Sequence, residues 1–238
     1  MLFIRKNTGW TFLALFIILM TIVTLLTAIG ILRGGKQFPV ALLFYVYYPV
    51  LVLHIVLATI AVPVGIVQFL PQIRARRPRV HRLLGRTYIW CVLVSGVAAL
   101  FVACFTVGFN KQAAFLTLGI LWLLSGWKAW RAIRRGQVEK HRLWIVRNYA
   151  LTLVAVFARL VVPLLIVFQA LQGTLLAGGF ATLLEESLGT GVWLSIVLNL
   201  VFADWLVNRS QKIRKAIGST AVAEERPRDE AALYAEAR

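Results

Sequence analysis

Six apolar runs constrain this chain more than any other feature. They lie at about 10–32, 40–70, 83–107, 113–130, 143–172 and 188–208. Each can carry a helix across roughly 30 Å of hydrocarbon, which takes about 20 residues. A backbone in that medium must satisfy its own hydrogen bonds, so runs of this length fold as helices. The expected architecture is an all-α polytopic membrane helix bundle with six transmembrane helices. Hydrophobic residues make up 60% of the chain and the mean hydropathy is +0.81, a balance foreign to soluble domains.

The second and fifth runs are longer than a span requires, so tilting, protrusion or kinks at Pro63 and Pro163 are expected. The run from Trp10 to Leu32 is too long for a signal peptide and lacks a small-residue cleavage site, which predicts a retained helix.

The net charge of +17 is concentrated in a few loops. Arg74, Arg76, Arg77, Arg79, Arg82 and Arg86 fall between the second and third runs. Lys128, Arg131, Arg134, Arg135, Lys140, Arg142 and Arg147 fall between the fourth and fifth, and Arg209, Lys212, Arg214 and Lys215 follow the sixth. The opposite loops hold only Arg33, Lys36 and Lys111, with Glu185 and Glu186. Positive charge stays on the cytoplasmic side, so both the N- and C-termini are expected in the cytoplasm of a multi-pass inner-membrane protein. The same charge predicts contact with the lipid bilayer and its anionic headgroups rather than with nucleic acid. Residues 1–217 form one membrane domain on this reading. Residues 218–238 mix Glu, Arg, Ala and Pro without an apolar face, which predicts a mostly disordered cytoplasmic tail with a short helix near 229–237.

One short phrase occurs twice. His81-Arg82-Leu83-Leu84-Gly85-Arg86-Thr87-Tyr88 and His141-Arg142-Leu143-Trp144-Ile145-Val146-Arg147-Asn148-Tyr149 each follow a basic stretch and open an apolar run. Helical spacing then groups the polar residues into stripes. His141, Asn148, Thr152 and Arg159 share one face, as do His81, Tyr88 and Ser95. His54, Ala58, Ala61, Gly65, Gln68 and Gln72 form a third stripe whose small residues allow close approach. Polar groups are costly against lipid tails, so the stripes should face one another across an interior polar seam of His54, Gln68, Tyr88, Ser95, Asn148, Thr152, Arg159, Asn199 and Asp204. Arg159 lies about 27 Å above His141 along its helix. This predicts two clusters, one at the basic mouth and one nearer the outer face, where Arg159 joins His54 or snorkels to the interface. Asp204 is expected to bridge to Arg86 or Arg147. Cys91 and Cys104 sit about 20 Å apart on one helix and cannot pair with each other.

Two chemistries fit the phrase. The first is a b-type haem, with His81 and His141 as axial ligands at equal depth and Arg82, Arg86, Arg142 and Arg147 on the propionates. The alternative is a non-haem binding or transport protein whose arginines and histidines hold an anionic lipid headgroup or a carboxylated small molecule. Metal-enzyme motifs, nucleophile triads, phosphate loops and dinucleotide fingerprints are absent from the sequence, which leaves enzymatic status open. A second copy of the chain or a membrane-complex partner would be the protein-level contact.

Gln68-Phe69-Leu70, the two histidine phrases with Ala150-Leu151-Thr152, Arg159 and Leu198-Asn199-Leu200 together resemble an uncharacterised bacterial membrane-protein family, domain of unknown function 2306. The resemblance spans about residues 45–208 and implies a bacterial inner-membrane protein without assigning an activity. Asp204 departs from it, since the resemblance implies glutamate there. A looser, fold-level likeness is to six-helix cytochromes of the b561 type, which place four histidines on four central helices. Here the fourth run carries none, so that pattern admits at most one haem.

Overall fold

A computed structural model of the chain describes residues 41–236 together with Leu15, Leu19 and Ile22, and side chains over residues 45–173 and 179–212. Apart from those three residues, the run predicted at 10–32 lies outside the described residues. Every described element is a helix. They are α1 (Ala41–Gln68), α2 (Pro71–Arg76), α3 (Pro78–Cys104), α4 (Phe109–Arg134), α5 (Val138–Thr152), α6 (Val154–Leu171) and α7 (Thr174–Glu236). Among the described residues, five stretches are long and apolar enough to cross a membrane: Tyr45–Gln68, Pro78–Cys104, Phe109–Arg134, Val154–Leu171 and Gly179–Lys212.

Local chemistry sets the boundaries. Pro71 and Pro78 occupy the first positions of α2 and α3, where a missing N–H costs nothing and the fixed φ suits a helix. Helix α3 therefore starts five residues before the apolar run that predicts it, and His81 sits in its first turn instead of in a loop. Helix α5 likewise begins at Val138, which places His141 in its first turn. Helix α4 closes on Gly136 at φ +70°. The N–H of Gln137 reaches back to Ala132 O (3.0 Å) and that of Gly136 to Ile133 O (3.1 Å), a turn that satisfies carbonyls the helix end would leave bare.

Helix α6 runs through Pro163, and α1 through Pro49 and Pro63, each as a single helix. The long fifth run, expected as one helix, breaks at Leu153. There the Thr152 hydroxyl donates to Asn148 O (3.1 Å) and the N–H of Val156 bonds the Leu153 carbonyl. Side-chain back-bonding of that kind bends helices. The last span also starts earlier than residue 188. Helix α7 begins at Thr174 and kinks at Gly179 (φ 73°, ψ 169°), a conformation that glycine alone adopts freely. Its backbone continues as helix to Glu236, through the stretch expected as a largely disordered tail.

Helices α1, α3, α4 and α5 close a ring, α1 on α3, α3 on α4, α4 on α5 and α5 back on α1. Short connections make sequential neighbours antiparallel, so the basic turns before α3 and α5 share one end of the bundle. The core of the ring holds Ala61, Tyr88, Val92, Trp122, Tyr149 and Val154. Large apolar side chains point the other way: Leu83, Trp90, Val94 and Val97 of α3 are all exposed, which suits hydrocarbon and not water. The ring belongs to a compact unit, Met1–Leu200; Val201–Arg238 forms another. In that second unit Phe202 stacks on Trp205 at 5.7 Å and Arg209 lies over the Trp205 ring at 5.3 Å. Asp204 is half-buried there.

Candidate functional site

The seam has a hydrogen-bonded middle and a mouth with two unpartnered buried nitrogens; Ser187 Oγ and Ser195 Oγ of α7 are unpartnered as well. In the middle, the Tyr88 hydroxyl donates to Asn148 Oδ1 at 2.7 Å and lies 2.8 Å from Thr152 Oγ1. The Asn148 amide donates to Trp122 O (2.8 Å) and Ser125 Oγ (2.9 Å). The Trp122 indole donates to Thr152 Oγ1 at 2.9 Å, and Ser125 Oγ donates to Trp122 O. Both amide protons and the indole proton of this cluster are spent inside it. Tyr88 and Asn148 stand seven residues after His81 and His141, so equivalent positions of the repeated phrase meet across the bundle.

Close packing makes this contact possible. A Cβ at Gly65 would lie 2.4 Å from Tyr149 Cε2 and 2.9 Å from Tyr88 Cε2, so α1 can approach both rings only as glycine. Tyr149 reaches past it to donate to Val62 O (2.9 Å). Gly126 of α4 similarly leaves room for Asn148 Nδ2.

One layer further from the mouth, His54 Nδ1 lies 3.0 Å from Ser95 O and 2.9 Å from Ser95 Oγ, while Ser95 Oγ lies 3.0 Å from His54 O. A carbonyl only accepts, so Nδ1 carries the proton and donates to Ser95 O. The ring meets Trp122 edge-on at 6.5 Å. The outer cluster is not assembled as expected. The Arg159 guanidinium donates to Ala155 O of its own helix, and the described partners of His54 are Ser95 and Trp122. Asn199 serves as a staple, its amide donating to Ala150 O at 3.0 Å.

The mouth is different. His141 Nδ1 donates to Ala129 O (2.9 Å), which leaves Nε2 as the ring's free valence. His81 lies within electrostatic reach of both Arg74 and His141. Its Nδ1 is buried without a hydrogen-bond partner, and so is Gln68 Nε2. The Gln68 amide packs against Gly85, with Oε1 3.2 Å from the place a Cβ would take, one turn from His81 on the same face. The arginines of the phrase do not converge on this point. Arg82 and Arg86 are exposed, Arg142 pairs with Glu139 at 2.8 Å, and Arg147 lies over the Trp144 ring at 5.2 Å. Among the described residues no group of three or more His, Cys, Asp or Glu gathers to hold a metal. Cys91 is buried and Cys104 exposed, both as free thiols.

Sequence reasoning placed a helix at α4 but missed the part its buried face plays. Gly119, Trp122, Ser125, Gly126 and Ala129 are buried along one face of it. Their spacing of three and four is a readable helical signal, but it contains no histidine and so drew no attention.

No curated protein and no solved structure matches the chain. A family model does. The model of DUF2306, described as a predicted membrane protein, matches residues 51–207, and the chain belongs to that family.

Proposed function

We propose that this membrane protein binds a small anionic group, a phosphate headgroup or a carboxylate, at the basic mouth of its seam. The observation that carries the reading is the pair of buried nitrogens, Gln68 Nε2 and His81 Nδ1, left without partners, with Arg74 and His141 as charged or titratable neighbours of His81. A buried donor without a partner costs roughly 1–3 kcal/mol, and an anion accepting from an amide, an imidazole and a guanidinium removes that cost. The proposed topology is six spans with both termini cytoplasmic in a bacterial inner membrane, so the mouth opens to the cytoplasm. What supports the orientation is the shared end of the two basic turns.

The haem alternative asks for an apolar slot between the imidazoles. Next to the mouth the space between helices is filled by Tyr88, Asn148 and Tyr149, and the four arginines meant for propionates are turned elsewhere. The anion reading needs neither a slot nor those arginines.

Thermal unfolding of the purified protein in detergent tests it, with phosphate and succinate titrated against chloride at constant ionic strength. Saturating anion should raise Tm by about 5 °C in the natural protein and leave His81→Ala and Gln68→Leu unmoved. Equal shifts in all three proteins, or none in any, would defeat the reading. A Soret band lost on replacing His81 or His141 would restore haem.

A further inference from the structure

An open surface groove lies outside the seam, at the turn between α4 and α5. Its volume is about 130 Å³ and it is lined by Lys128, Arg131, Arg135, Lys140, Gln137 and Trp144, with no acid among its walls. At ~30 Å³ per water it holds about four waters, room for one tetrahedral oxyanion. Glu139, the acid nearest in sequence, is taken by Arg142.

Three features orient this groove toward an anion. Four exposed cations, two on α4, one in the turn and one on α5, line the same groove. Lys128 Nζ is held at the rim, 4.3 Å over the Trp144 ring, a cation–π contact that also limits its freedom. The N-terminus of the fifteen-residue α5 opens here; Gln137 provides no side-chain cap to it, and although the Val138 N–H bonds Gly136 O, the positive end of the helix adds to the attraction of an anion.

The chemistry common to these features is phosphate. Trp127 and Trp130 flank the same turn, Trp127 exposed and Trp130 within 5.7 Å of Arg134. Tryptophan gathers at the headgroup level of a bilayer. We infer that the α4–α5 turn is a phosphate-binding site, independent of the histidine mouth, that takes the phosphate of an anionic lipid headgroup or of a soluble phosphate at the membrane surface.

Native mass spectrometry of the full chain in detergent tests this with phosphatidylglycerol and phosphatidylcholine. Phosphatidylglycerol should be retained in preference to phosphatidylcholine. The double variant Arg135→Gln/Lys140→Gln should weaken its retention by about thirtyfold, roughly fivefold for each basic side chain at a membrane surface. Both side chains are exposed, so the variant keeps its fold, checked by an unchanged Tm. Inorganic phosphate that displaces the lipid identifies a soluble phosphate as a competent occupant; failure to displace it assigns the site to lipid. Equal retention of both lipids, or full retention by the double variant, overturns the inference. So does a loss seen only in His81→Ala, which would move the anion to the seam mouth.

Discussion

At the residue scale, Asn148 is the most connected side chain in the bundle. It makes three side-chain hydrogen bonds to α3 and α4, and its own carbonyl receives the Thr152 hydroxyl. Interhelical hydrogen bonds in membranes are each worth about 0.6 kcal/mol on average and reach about 1.7. Asn148→Leu should therefore cost about 2 kcal/mol or more in unfolding from detergent by SDS titration, while Tyr88→Phe, which removes one hydroxyl, should cost about 1 kcal/mol. Equal and negligible losses would mean that the network contributes nothing to the fold. Gly65→Ala should be worse than its size implies, because its Cβ meets the Tyr149 ring at 2.4 Å and overpacking costs about 1–3 kcal/mol. Thermal unfolding of Gly65→Ala checks this, and an unchanged Tm would count against so close an approach. Helical periodicity made Tyr88, Ser95, Asn148 and Thr152 legible as facing residues. It could not reveal that Tyr88 and Asn148 bond to each other, since partner choice across helices depends on depth and rotation. Nor could it separate His54, tied to Ser95, from Arg159, which serves its own helix.

At the element scale, hydropathy located the runs and polar chemistry located their ends. The runs at 83–107 and 143–172 miss the first turns of the helices that begin at Pro78 and Val138. Pro78, Arg79 and Lys140 are not apolar, yet they continue the helix into the basic layer. The break at Leu153 was not foreseen, because a proline is visible in a sequence and a Thr152 hydroxyl bonded to a carbonyl is not. Thr152 thus has two roles, bending the α5–α6 junction and receiving the Trp122 indole. Thr152→Ser keeps the hydroxyl and should be nearly neutral in the same unfolding assay. Thr152→Val leaves the indole N–H unpaired and should cost roughly 1–2 kcal/mol. If the two variants behave alike, the hydroxyl plays no part.

At the scale of the whole molecule, the basic turns mark one end of the bundle, and the Lys111–Glu185 pair at 3.0 Å lies at the other. Cys104 ends α3 at that second end and is exposed, while Cys91 is buried in the ring. A membrane-impermeant maleimide added to intact cells should therefore label Cys104, and label Cys91 only after denaturation. Labelling of Cys104 that required broken cells would invert the proposed topology. The sequence alone determined that this chain is helical and membrane-bound and which end of the bundle is basic. Run length and charge placement are local properties, and hydrocarbon tolerates few other solutions. Only the tertiary structure decided how the polar residues were used, because a buried donor is satisfied or orphaned by its neighbours in space. The middle of the seam closes on itself, whereas at the mouth Gln68 and His81 keep nitrogens unspent.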